Sequence, residues 1–77
     1  MSDSVSMLAA KLAEDVLAVQ DATGEDRLYI ELGNVLGSSS QTLEEAFLTE
    51  VRIRLAERGA RDFLNQRAAA LGVKTDG

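Results

Sequence analysis

The sequence predicts an all-α protein of three helices, the third much the longest, completed by a second copy into a dimeric helical bundle. Three observations carry that expectation. Apolar residues recur at three- and four-residue spacing along most of the chain. Proline is absent from all 77 residues, so nothing forces a long helix to break. The two places where the rhythm lapses are short and rich in glycine, serine and acidic residues. At this length the chain forms one small domain spanning residues 1–77, its last few residues loose.

The first helix is expected over about residues 4–21. Val5, Leu8, Leu12, Val16 and Val19 fall on one arc of it. Ala9 and Ala13 border that arc and allow a neighbouring helix to approach closely, while Ser2, Asp3 or Ser4 supplies a cap. Thr23-Gly-Glu-Asp26 then ends one helix and starts the next, with Thr23 as N-cap. The second helix, about 25–36, places Leu28, Leu32, Val35 and Leu36 on one side with Tyr29 at its border. Tyr29 with Gly33 marks a close helix contact or a small pocket, and packing is the simpler of the two. Gly37 closes this helix, and Ser38–Gln41 link it to the third.

The third helix, about 42–71, organises the molecule. Thr42-Leu-Glu-Glu45 reads as a capping box, and Gly72 is a natural stop. Some 30 residues make a rod of roughly 45 Å, against roughly 27 Å and 20 Å for the first two helices. Its apolar residues form two stripes. Leu43, Phe47, Val51 and Leu55 step by four, with Leu48 alongside; Ala46, Ile53, Ala60, Leu64 and Leu71 lie on another face, with Phe63 at its edge. One helix packing on one partner needs a single stripe. The helix therefore either kinks near Gly59 or meets different neighbours along its length, and the lack of a cap after Gly59 favours the second. Three unequal rods leave the long one overhanging. Phe47, Val51, Leu55, Phe63 and Leu64 are accordingly the candidate interface residues, for a second copy or for a heterologous protein.

Composition narrows function by exclusion. Hydrophobic residues make up 45% of the chain but aromatics only 4%, so the core is small and aliphatic, and association is the remaining route to stability. Histidine and cysteine are absent. That removes the commonest general base, the commonest metal ligand and any thiolate site. No enzyme activity, cofactor or metal centre is expected. The adjacent pairs Glu14-Asp15, Glu25-Asp26 and Glu44-Glu45 point about 100° apart on a helix and are poorly set to share more than a weak Mg²⁺ contact. No glycine spacing matches a phosphate-binding loop. Neither a secretory leader nor an apolar run of membrane-spanning length is visible, so a soluble cytoplasmic protein is expected.

Charge is divided along the chain. Residues 1–50 hold two basic and ten acidic side chains, a net of −8, and residues 51–77 hold six basic and three acidic, a net of +3. Such halves argue for antiparallel or head-to-tail complementarity at least as much as for an outside partner, and the overall sign disfavours nucleic acid. Arg54, Arg58 and Arg61 share a face that offers a nucleic-acid-associated regulator as one alternative. Glu50–Arg54, Glu57–Arg61 and Arg58–Asp62, spaced as i,i+4 pairs, neutralise that face.

A second alternative comes from Leu36-Gly37-Ser38-Ser39-Ser40-Gln41-Thr42-Leu43. This segment resembles the attachment site of acyl carrier proteins, small acidic helical proteins in which an Asp-Ser-Leu motif follows a Leu-Gly pair at a helix start. The resemblance implies phosphopantetheine carried on Ser40. Ser39 stands in place of the aspartate and Gln41 in place of the leucine, and the likeness covers about ten residues. As a polar linker and N-cap the serines are fully accounted for. The expectation that emerges is a small non-enzymatic helical interaction module, an adaptor, regulator or subunit that self-associates through its long helix.

Overall fold

The computed structural model describes residues 3–75, which form three α-helices: α1 (Asp3–Thr23), α2 (Leu28–Gly37) and α3 (Gln41–Ala70), with no strand among the described residues. Of the three candidate caps for α1, Ser2 lies outside the described residues and Asp3 and Ser4 lie within the helix. The all-α class and the long C-terminal helix are as the periodicity predicts. The ends differ in informative ways.

α1 continues through Thr23, and Gly24 stops it. Gly24 adopts a left-handed φ of 80°, and its N–H bonds to the carbonyl of Gln20 at 2.8 Å. Thr23 therefore ends α1 rather than starting α2. Its hydroxyl donates to Val19 O and accepts the N–H of Glu25, and both bonds stay within the turn. α2 begins at Leu28, three residues later than expected, and Arg27 before it makes no side-chain cap. At the next junction the cap of α3 is Ser40, not Thr42. Ser40 is extended, with φ −154° and ψ 104°, and its Oγ accepts the N–H of Leu43 at 3.1 Å. Because the helix starts at Gln41, Thr42 lies inside its first turn.

At the far end the N–H of Val73 reaches Ala68 O and that of Gly72 reaches Ala69 O, with Gly72 at φ 77°. This is a Schellman termination. It turns the tail back along α3, where Thr75 Oγ1 bonds Asn65 Oδ1. α3 runs without interruption through Gly59, so the change of stripe does not come from a break in the helix.

The core is a wedge of Ala9, Ala13, Val16 and Leu17 from α1 against Phe47 and Val51 of α3, with Leu28, Leu32, Leu36, Leu43 and Leu48 closing its sides. Ala9 and Ala13 carry no bulk beyond Cβ, and α3 approaches over them. The buried arc of α1 is centred on these alanines, rotated from the expected one, and Leu8 and Val19 are left exposed. α1 runs parallel to α3, since Glu14 meets Arg54 and Asp21 meets Arg58. α2 runs antiparallel to α3. A Cβ at Gly33 would lie 3.3 Å from Leu48 Cδ2, and one at Gly37 would lie 2.6 Å from Glu44 Oε1. Gly33 thus lets α2 lie close to the long helix, the close contact anticipated beside Tyr29, whereas the Glu44 carboxylate, the far end of a flexible side chain, can move aside from Gly37. Both helices pack on α3 more extensively than on each other.

The result is elongated. The Cα radius of gyration is 15.2 Å and the extents are 50 × 31 × 13 Å, whereas a compact chain of this length has a radius of about 11.5 Å.

Candidate functional site

The core of α3 ends at Val51, and the last ion pairs that tie the helix to α1 are those of Arg54 and Arg58. The remaining residues, Gly59–Ala70, project by about 18 Å. The five candidate interface residues consequently separate into two groups. Phe47 and Val51 are 0% exposed and belong to the core of the single chain. Contrary to the expectation that these two form an interface, α1 and α2 close over the first stripe as far as Val51, which leaves neither side chain at the surface. Leu55, Phe63 and Leu64 are exposed, Phe63 at 61% and Leu64 at 47%.

The second stripe is the surface that the fold leaves open. Ala46 packs against the core and Ile53 borders Leu17 and Ala18 of α1. From there Ile53, Ala60, Leu64 and Leu71 recur at spacings of seven and four, with Ala56 and Phe63 beside them, and these six are exposed. Ala56 and Ala60 keep the middle of this strip low. Arg67 folds its guanidinium over the Phe63 ring, 5.2 Å from the centroid.

The arginine face is engaged within the chain. Arg54 bonds Glu50 Oε1 at 2.5 Å and reaches Glu14 Oε2 at 3.5 Å; Arg61 bonds Glu57 Oε2 at 3.1 Å. Arg58 does not take Asp62, the partner its spacing suggested. It bridges to α1 and holds both oxygens of Asp21, at 3.0 and 2.9 Å. Arg54 and Arg58 are held above their ordinary pKa, chiefly by hydrogen bonds to Glu50 and Asp21 respectively. A face whose guanidiniums are already paired offers little to a phosphate backbone.

Ser40 sits at a helix start, as the carrier resemblance requires, but the helix it caps runs on for 30 residues where that family has a loop and short helices. The acidic pairs assemble no cluster of metal-ligating side chains among the described residues. No described helix is long and apolar enough to cross a membrane. Sequence reasoning missed Gln20, the one buried polar side chain among those described as buried; its Oε1 accepts the N–H of Tyr29 at 2.8 Å. Compared with protein-family models, curated proteins and solved structures, the chain matches none.

Proposed function

We propose that this protein is a non-enzymatic helical interaction module that forms a homodimer through the outer stripe of α3. The observation that carries the reading is the overhang. Phe63 and Leu64 are exposed on the part of α3 that runs past its ion pairs to α1, and Ile53 and Leu71 continue the exposed apolar line on either side; water penalises such a surface. Packing two copies of α3 antiparallel buries both stripes about a two-fold axis. Ala56 and Ala60 near the crossing let the helices approach. The same orientation brings the basic C-terminal half of each chain toward the acidic N-terminal half of the other. Function then resides on the outer faces of the dimer, in a setting taken to be the cytoplasm.

Light scattering across a range of concentrations tests this reading. The expected result is twice the chain mass, falling to the chain mass when Phe63→Glu and Leu64→Glu are combined, with helical content unchanged. A monomer at every concentration overturns it.

A further inference from the structure

We propose that the groove between α1 and α2 is a docking site for an amphipathic helix that carries basic residues beside its apolar stripe. The groove goes beyond the self-association reading, because it lies on walls that the α3 stripe does not use. Leu12, Val16 and Val19 form one wall and Leu28, Leu32 and Val35 the other, enclosing about 380 Å³. The two helices are antiparallel and joined by only four residues, yet each leans on α3 rather than on its neighbour. A V-shaped channel remains between them. Its apolar floor is continuous with the core through Val16, while Val35 at 64% and Val19 at 47% stand exposed on its walls. Leu8, one turn before Leu12 on the same arc, extends the apolar line to roughly 16 Å, or three helical turns.

The occupant follows from the chemistry of the walls. Aliphatic side chains provide no donor or acceptor, so an extended segment laid here would lose water from its backbone groups without replacement. A helix satisfies its own backbone and presents only side chains, and two antiparallel helices form the groove into which a further helix packs. The rims fix the sign of its flanks. Asp15 on α1 and Glu31 on α2 are the only charged residues lining the channel. Lys11 bonds Asp15 at 3.0 Å and offsets that rim in part, whereas Glu31 makes no ion pair among the described residues. Lysine or arginine at the edges of the incoming stripe complements these rims, and an anionic lipid surface is repelled by them.

The test uses the full chain and a synthetic probe of about 14 residues, three to four turns, with leucines at helical spacing and lysines elsewhere. A control peptide has the same composition without the helical pattern. In isotope-labelled protein the expected result is saturable shift changes at Leu12, Val16, Val19, Leu28, Leu32 and Val35, with none from the control. Val35→Asn, which removes apolar contact without adding charge, is expected to weaken the probe by about ten-fold while leaving the molar mass unchanged. Glu31→Lys is expected to reverse the preference toward a probe whose lysines are replaced by glutamates. Equal binding of the control, shifts confined to the outer stripe of α3, or no saturable binding overturns the proposal. A drop in molar mass with Val35→Asn also overturns it, because a second copy would then occupy the groove. A wild-type monomer that binds the probe in the groove would sink the dimer reading alone.

Discussion

Gln20 Oε1 accepts the backbone N–H of Tyr29 at 2.8 Å, so that the end of α1 caps the start of α2. Arg27, at the position where a capping side chain belongs, supplies none. The first turn of α2 opens with a donor that its own local sequence leaves unsatisfied, and a half-buried residue needs that donor paired. Gln20 does this from the other side of the turn, and the bond fixes the angle at which α2 leaves α1.

Replacing Gln20 with methionine keeps the volume and removes the acceptor. The expected cost is about 1–2 kcal/mol of folding stability, from a lost cap and an orphaned N–H. Urea unfolding checks the magnitude. Amide exchange at Tyr29 checks the place: protection there should fall further than at Val51 in the same variant. A variant as stable as the wild type would mean that water replaces the glutamine.

Arg58 and Asp21 form the last ion pair between α3 and α1 before the long helix runs out alone. Both side chains are about half exposed, so their coupling in a double-mutant cycle with Arg58→Met and Asp21→Asn should be no more than about 1 kcal/mol. The carboxylate raises the pKa of the guanidinium above an already high value. By linkage that contribution is complete below the ordinary arginine pKa and is lost only as pH rises through the raised one. Across neutral and moderately alkaline pH the coupling should therefore hold constant, and added salt should shrink it. Coupling that vanishes between pH 7 and pH 9 would refute the pairing.

How far this fold can be read from its sequence depends on where each constraint resides. Helix existence is local: the spacing of Leu8, Leu12 and Val16, or of Phe47, Val51 and Leu55, is written in the chain. Exposure is not. Phe47 and Phe63 have the same intrinsic character, and only the lengths of α1 and α2 decide that one is sealed and the other bare. The buried arc of α1 shifts to Ala9 and Ala13 because a close approach to α3 is worth more than covering Leu8, a choice made between helices. The Gln20 cap and the Arg58–Asp21 bridge join residues on different helices, so no local motif announces them. Ser40 and Thr42 were separated by geometry alone, since both carry a hydroxyl and only Ser40 has the extended backbone of a cap.

Two glycines within helices make a controlled comparison. Gly59 has nothing within 4 Å of an added Cβ, and Gly33 has Leu48 Cδ2 at 3.3 Å. Gly59→Ala should raise stability by about 0.5–1 kcal/mol, through helix propensity and a less flexible unfolded chain. Gly33→Ala should gain less, because Leu48 must give way. Gly33→Leu should lose about 1–3 kcal/mol by prising α2 from α3. Urea midpoints for the three variants check the ordering, and equal gains from both alanines would show that the approach of α2 to Leu48 is not tight.

The two phenylalanines of α3 separate folding from association. Phe47 is sealed between α1, α2 and α3, so Phe47→Ala leaves a cavity and should cost about 3–5 kcal/mol. In a domain this small that is enough to unfold much of the population. Phe63 lies outside the core cluster and is largely exposed, with Arg67 of its own helix over its ring. Phe63→Ala should change the stability of an isolated chain by no more than about 0.5 kcal/mol. If the outer stripe pairs with a second copy, the same substitution should weaken the dimer by ten-fold or more, an effect of about 1.4 kcal/mol or greater. The melting temperature provides the reading that distinguishes the two. In the wild type it should rise with protein concentration, as mass action requires of a dimer that unfolds to monomers. In Phe63→Ala that dependence should flatten. A melting temperature independent of concentration in both proteins would leave Phe63 as exposed surface with no role in self-association.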